Sequence, residues 1–489
     1  MTVRETRTAP AAAPDPAPAA GSTAPAAAST APAAGSTAPA AGSTAPAAAP
    51  GFLPVLLTAI VMTSIDAFIV NVALPSLHRN LGAGPAALQW VVAGYVLALG
   101  AGLVTGGRLG DRYGRRRVFG IGLGLFTAAS VLCGLAPTAG VLVGARVLQG
   151  LAAALFMPQV LAIVRTSVPL AGQPRAFARY GLSMGVGAVF GQLIGGLLIR
   201  ADLFGLDWRL CFLINLPVGA AALAYLRRIP ESRQPTTRLD LVGVVLLGGA
   251  LVALVLPLIT GREQGWPAWT WLSLAAAPAL LGAFVATQRR RTQPLVDLGL
   301  FRERAFSTGL VATQVFWMGQ ASFFVILALY LQVGRGLSAL GAGTVFTAIG
   351  AGYLVTSTYA DRIAARLGRQ VVSLGAVLMA LGLLGMWAAA TRPGTGWLVP
   401  GLAVDGLGMG MALAPLTGTV LARVTPRHTG AATGVLSTVN QTGNAVGVAL
   451  IGVVFYRTAD VAQGFRAGLV ALIVLELSLA LLIQTLPRR

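Results

Sequence analysis

Fourteen apolar runs, each of about 19 to 27 residues, succeed one another between residues 52 and 486, and each can cross the roughly 30 Å hydrocarbon layer of a bilayer as a helix. They lie at about 52–75, 88–107, 118–136, 139–164, 177–199, 207–226, 239–260, 269–288, 306–331, 339–360, 370–390, 396–420, 430–456 and 464–486. Within hydrocarbon a lipid-exposed backbone must satisfy its own N–H and C=O groups, so the pattern calls for an all-α integral membrane protein. Only 10% of residues are charged and 56% are hydrophobic, where a soluble domain carries about a quarter charged residues. The net charge of +20 does not point to nucleic acid, because the arginines fall in short clusters between spans and form no basic domain.

Those clusters orient the chain instead. With the N-terminus inside, 26 arginines fall on the cytoplasmic side, eight fall outside, and one, Arg146, lies within a span. The bias predicts a multi-pass protein of the cytoplasmic membrane, an even number of spans and both termini in the cytoplasm. Ahead of the spans, residues 1–50 carry four copies of Ser-Thr-Ala-Pro-Ala-Ala-x, starting at Ser22, Ser29, Ser36 and Ser43. A proline in every heptad excludes a coiled coil and breaks any signal-peptide core, so a disordered tail is expected.

The densest charge falls between the second and third runs, where residues 106–117 read GGRLGDRYGRRR. One acid and five arginines cannot sit in hydrocarbon, so a short water-facing turn is expected. Its glycines allow close approach and a sharp turn, while Asp111 can cap a helix or pair with an arginine. An ordinary positive-inside loop needs the arginines but neither Asp111 nor the glycines.

Ionisable groups inside spans are costly and therefore functional candidates. Counting helix rise from the outer ends, Asp66 lies roughly 14 Å deep in the first span and Arg146 roughly 10 Å deep in the fourth, so the two can meet. An acid that only bonds a neighbouring helix, and an arginine solvated by carbonyls, are the structural alternatives. Asp405 and Glu476 are embedded in the twelfth and fourteenth spans, and Asn440, Gln441 and Asn444 give the thirteenth a polar face. Either acid is a candidate proton site or cationic-substrate contact, or a shielded, protonated acid. Cys133 and Cys211 read as small core residues.

The order Gly107, Leu109, Asp111, Arg112, Gly114, Arg115, Arg116 resembles the signature loop between the second and third helices of the major facilitator superfamily. The resemblance implies an all-α fold of two six-helix bundles and a cytoplasmic gate made by Gly107, Asp111, Arg112, Gly114 and Arg115. Asp361-Arg362, followed by Gly368-Arg369, resembles a looser second copy in the later half. Asp66 and Asn71, in Ser64-Ile-Asp66-Ala-Phe-Ile-Val-Asn71-Val-Ala-Leu-Pro75, are similar to the first-helix motif of the multidrug exporter branch, and Gln89-Trp90 and Tyr95 also follow that branch. Arg146-Val-Leu-Gln149-Gly150 resembles the fourth-helix motif whose arginine is associated with proton transfer. Gly187-Ala-Val-Phe-Gly191-Gln192-Leu-Ile-Gly195-Gly196 resembles the exporter motif of the fifth helix, with Gln192 where the family has proline. Trp208-Arg209-Leu-Cys-Phe-Leu-Ile-Asn215-Leu-Pro217-Val-Gly219 matches its entry into the sixth. In the fourteen-helix branch two helices are inserted between the halves. The implied division is a tail at 1–50, a six-helix bundle at 51–228, the inserted pair with linkers at 229–305 and a second bundle at 306–489.

No nucleotide-binding loop, metal cluster or nucleophile with its base is recognisable in the chain, so neither an enzyme nor a cofactor is expected, and the energy source is an ion gradient. The expected function is drug:proton antiport: export of small hydrophobic, drug-like or antibiotic compounds in exchange for protons, by a chain working as a monomer among membrane lipids. Asp66 and Arg146 are the coupling pair, and Asn71, Tyr95, Gln149, Gln192, Asn215, Asp405, Asn440, Gln441, Asn444 and Glu476 are candidates for the substrate cavity. An exporter dedicated to one endogenous metabolite or lipid is the alternative within transport. A non-transporting membrane sensor or a membrane-embedded enzyme is the alternative outside it, requiring an appended soluble domain or clustered catalytic side chains at one interface.

Overall fold

The computed structural model describes residues 51–233, 240–291, 296, 298–421, 424 and 429–486; the N-terminal repeats lie outside them. Sixteen α-helices are described: α1 Phe52–Leu81, α2 Pro85–Tyr113, α3 Arg115–Gly134, α4 Ala139–Ser167, α5 Gln173–Ala201, α6 Leu210–Leu213, α7 Asn215–Ala224, α8 Leu241–Thr260, α9 Ala268–Arg290, α10 Arg304–Leu329, α11 Ala339–Ser357, α12 Ala360–Leu367, α13 Gln370–Ala389, α14 Val399–Leu421, α15 Thr429–Phe455 and α16 Val461–Gln484. Fourteen membrane-spanning elements result, α6 and α7 forming one of them and α12 none. The protein is thus a multi-pass membrane protein, and its spans fall where the apolar runs lie.

The short turn expected at residues 106–117 is a single residue: α2 continues to Tyr113 and α3 begins at Arg115, leaving Gly114 alone between them at φ 106°. A side chain is strained in that region of φ, whereas glycine enters it at little cost. The Gly114 N–H still donates to the Gly110 carbonyl at 2.9 Å. The helix runs past the apolar stretch although Gly107 and Gly110 disfavour it, because no proline interrupts it and Asp111 is paired with Arg115 across the junction. An unforeseen element is α12, a short amphipathic helix after α11.

In the first half α2 packs on α4, α3 on α4, and α1 on α5; in the second, α13 packs on α14, α11 on α14, α10 on α15 and α13 on α16. The glycines of α5 serve two surfaces. A Cβ on Gly187 would lie 2.3 Å from the Ser64 side chain and one on Gly195 2.6 Å from Ile69, both on α1, whereas one on Gly196 would lie 2.6 Å from the Ala339 carbonyl of α11. Small residues thus let α5 sit between α1 and α11 at backbone contact distance. α15 crosses α2 in the same manner, with Thr438 Oγ1 donating to the Gly100 carbonyl at 3.3 Å.

α8 and α9 pair with each other, and α8 lies against α2 and α15. The α8–α9 turn is tied down by Glu263, whose Oε1 accepts the Ala86 N–H at 2.8 Å, placing a carboxylate at the positive end of α2. At the other end of α8, Asp240 caps the helix through Gly243 N–H at 2.9 Å and accepts Gln288 Nε2 at 2.7 Å. Burial pushes the Asp240 carboxyl up, but these two bonds and the charges of Arg291 and Arg108 outweigh it and hold it below its ordinary value.

Candidate functional site

Four spans converge on Asp66. Its Oδ2 lies 2.5 Å from Arg146 Nη1, and its Oδ1 accepts Gln149 Nε2 at 2.8 Å and Asn215 Nδ2 at 2.9 Å. Arg146 also donates from Nη1 to Gln149 Oε1 at 2.8 Å and from Nε to the Val91 carbonyl at 3.0 Å. Arg146 and Gln149 are one helical turn apart on α4, which puts guanidinium and amide on one face toward α1. The guanidinium carbon sits 4.1 Å from the centre of the Tyr95 ring, a cation–π contact from α2. Asp66 is fully buried and Arg146 is 1% exposed, so one negative and one positive charge neutralise each other in a water-poor interior.

This brings together five sequence-expected residues: Asp66, Tyr95, Arg146, Gln149 and Asn215. Gln149 and Asn215, expected along a substrate cavity, donate directly to the carboxylate. Two further residues complete the network. Ser130 on α3 accepts Asn215 Nδ2 at 2.9 Å and donates to the Phe212 carbonyl at 2.9 Å, so it orients the amide that reaches Asp66. The Cys133 thiol donates to Gln149 Oε1 at 3.6 Å, so this cysteine does more than fill space. A serine and a cysteine one turn apart on α3 were the only signal in the sequence, and neither is unusual in a membrane span.

Two residues beyond Asp66, Phe68 meets Phe324 of α10 edge-on with ring centres 5.2 Å apart, and Phe324 stacks on Phe346 of α11 at 5.7 Å. This aromatic stack joins α1 to the second half. Asn71 is buried with Oδ1 unpartnered, and Gln192 is 1% exposed with both amide atoms unpartnered. Gln192 lies where α5 meets α11, its carbonyl 2.7 Å from a Cβ built on Gly343. Gln441 packs against Gly100 of α2, and Asn444 Nδ2 lies 3.5 Å from Gln441 Oε1, while Asn440 Oδ1 is unpartnered. Asp405 and Glu476 are each 2% exposed, away from the Asp66 network on α14 and α16.

At the Gly114 junction Asp111 Oδ1 accepts Arg115 Nε at 3.0 Å and Nη2 at 2.8 Å. The segment leaving α7 wraps over the junction: Glu231 Oε1 accepts the Arg116 N–H at 3.1 Å, and the Ser232 carbonyl accepts the Arg115 N–H at 3.0 Å. A carboxylate thus caps the start of α3. Both acid partners lie in the first six spans and their exit. Glu231 was not legible in advance, being 115 residues from Arg116 and in no motif. Arg112 stacks on Tyr113 and Arg362 on Tyr359, with centroid distances of 5.3 and 5.8 Å; the Asp361 side chain lies outside the described ones. Glu231→Gln should therefore impair the junction at least as much as Asp111→Asn, since it weakens the α3 cap as well as the charge. Limited proteolysis at residues 108–117 in membranes checks this, and faster cleavage only in Asp111→Asn would refute it.

Comparison with known proteins agrees with the helix arrangement. The family model described as Major Facilitator Superfamily matches residues 56–448 and 305–489. The chain is 40% identical over 420 residues to the probable actinorhodin transporter of Streptomyces coelicolor, covering 83% of this chain and 72% of that protein. It is 38% identical over 415 residues to the puromycin resistance protein pur8 of Streptomyces alboniger, covering 82% and 81%. Among solved structures, an auto-inhibited POT family peptide transporter superposes with a TM-score of 0.67 at 16% identity, covering 90% of this chain and 98% of that one, a likeness of fold alone.

Proposed function

The chain belongs to the major facilitator superfamily, in the branch of antibiotic and multidrug exporters, and from that premise we propose that it exports small hydrophobic, drug-like or antibiotic compounds across the cytoplasmic membrane in exchange for protons. The observation that carries the coupling is the buried Asp66–Arg146 pair. A carboxylate with no exposure must be neutralised by a cation or by a proton, and Arg146 supplies the first. Protonation of Asp66 would free Arg146 and Gln149 from it, altering the contacts between α1 and α4 as the site changes facing.

In this reading residues 51–228 and 306–489 are two six-helix bundles that rock about the α2–α15 and α5–α11 contacts, with residues 229–305 an inserted, bracing pair. The glycine interfaces suit such motion, and the unpartnered amide atoms of Gln192 and the Oδ1 atoms of Asn71 and Asn440 are polar groups a substrate could engage. The Gly114 junction is the cytoplasmic gate, with Gly107, Asp111, Arg112, Arg115 and Glu231 holding α2 and α3 in register, and Arg362 at a looser counterpart. An exporter dedicated to one compound is the second reading, favoured by the similarity to the probable actinorhodin transporter of Streptomyces coelicolor.

Everted vesicles with an imposed proton gradient, screened against a panel of hydrophobic compounds, test the reading. Uptake of several unrelated compounds that collapses when the gradient is dissipated is the expected result; uptake of one compound selects the dedicated exporter, and gradient-independent uptake removes proton antiport. Orientation has its own check. A cysteine in place of Asp202, after α5, should react with an impermeant maleimide on intact cells, and labelling only after lysis would reverse the topology.

A further inference from the structure

The second half contains a polar cluster with the opposite imbalance to that around Asp66. α13 packs on both α14 and α16, and α10 also packs on α16. Across these contacts a Cβ on Gly382 would lie 2.6 Å from the Asp405 backbone nitrogen, and one on Gly319 2.7 Å from Glu476 Oε1. Gln320, next to Gly319, donates from Nε2 to Met379 Sδ on α13 at 3.3 Å. Gly382 and Met379, one turn apart on α13, link the two sides, Asp405 lying against the first and Gln320 against the second. Three buried oxygens there have no partner: Asp405 Oδ2, Glu476 Oε2 and Gln320 Oε1, on side chains that are 2%, 2% and 4% exposed.

All three atoms are acceptors, so what the cluster lacks is donors. Around Asp66 the carboxylate has an arginine and two amides; here the helices supply no such cation. The ionisable groups of the surrounding spans are Arg304 at the start of α10, Tyr353 on α11 and Arg466 on α16; α13 and α15 carry none, and α14 has only Asp405. Arg466 stacks on Trp387 at 4.3 Å and is ten residues, roughly 15 Å of helix, from Glu476. Two buried carboxylates in one cluster without a base would each bear the cost of desolvation if ionised. A proton on a carboxyl removes the charge and supplies an O–H donor at once, for which Gln320 Oε1 and the second carboxyl are acceptors within the same cluster.

We propose that Asp405 and Glu476, with the Gln320 amide, form a second proton-binding site, so that each transport cycle carries a proton on this acid pair in addition to the one on Asp66. The site lies on α10, α14 and α16, elements separate from those holding Asp66, so its proton adds to the driving force for export while the change of facing still depends on Asp66. This inference rests on the antiport reading above.

Stoichiometry tests it. With the membrane potential clamped to zero and a gradient of one pH unit, each coupled proton multiplies the limiting accumulation of a neutral substrate by about ten. Everted vesicles of the unaltered protein should therefore reach about a hundredfold accumulation. Glu476→Gln and Asp405→Asn, which imitate the protonated acids, should each lower that limit by about tenfold while leaving gradient-dependent uptake in place. An unchanged limit in both variants overturns the second site. So does a lowered uptake of cationic compounds alone, which would make the acids a substrate contact. If neither variant reaches the membrane, a pH dye reporting protons released per substrate bound to the detergent-purified protein decides: two supports the site and one refutes it. A wild-type limit blind to the pH gradient would remove the antiport reading, and this site with it.

Discussion

Replacing Asp66 with asparagine is expected to abolish gradient-driven accumulation while the protein still reaches the membrane. Asparagine keeps the shape and an acceptor for Gln149 or Arg146, but holds the side chain permanently in the uncharged form that a proton would give it. In the proposed cycle an outward-facing site takes up a proton on Asp66 and the drug leaves; facing inward, the proton departs and the cavity reloads. A side chain that cannot ionise interrupts both steps, so substrate binding can persist while proton release on substrate addition is lost. Breaking a buried ion pair costs about 3 to 5 kcal/mol when one charge is left alone. Here Arg146 retains the Val91 carbonyl and Gln149 Oε1, so the cost should fall at or below that range. The double variant Asp66→Asn with Arg146→Gln should regain stability without regaining transport, because it removes the stranded cation but not the lesion in coupling. Vesicles of Asp66→Asn that still concentrate substrate down an imposed pH gradient would show that Asp66 is not the carrier, leaving Asp405 and Glu476 as the acids to follow.

That Asp66 and Arg146 meet could be read from depth alone, because a membrane helix has a fixed rise and both ends of each span are marked by composition. The same regularity made the fourteen spans legible. It was less exact where a helix leaves the bilayer: hydropathy ends at about residue 107, but backbone hydrogen bonding does not, so α2 runs on to Tyr113 and the expected turn narrows to Gly114. Contacts that depend on a distant segment were likewise invisible. Glu231 caps α3 across 115 residues and Glu263 caps α2 across 177, and neither acid stands in a pattern that names its partner. Ser130 was hidden differently, since one hydroxyl in an apolar helix carries no signal until the amide it orients is placed beside it.

The two adjacent glycines at the end of α2 make a sharp test of packing against motif. The family resemblance singles out Gly107, yet a Cβ there would meet only Pro158 Cβ, at an ordinary 3.7 Å. A Cβ on Gly106 would lie 1.9 Å from the Ala154 carbonyl oxygen and 3.1 Å from Leu155 Cα, both backbone atoms of α4 that cannot rotate away. Gln159 Nε2 donates to the Gly106 carbonyl at 2.7 Å, pinning the two helices at that level, so relief requires α2 and α4 to part and disturb this bond as well. Gly106→Ala should therefore cost at least the 1 to 3 kcal/mol typical of overpacking, about as much as a sizeable core defect. Gly107→Ala, on a helix with room for a methyl, should be neutral or stabilise by about 0.4 to 1 kcal/mol through reduced freedom of the unfolded chain. The same separation of α2 from α4 would shift Arg146 relative to Tyr95 and Val91, so loss of transport should accompany loss of stability at residue 106. Thermal unfolding of the two purified variants in detergent, followed by size-exclusion fluorescence, distinguishes them: a midpoint several degrees lower for Gly106→Ala alone is expected, and equal midpoints would mean that α2 and α4 do not meet as closely as the backbone contact at Ala154 requires.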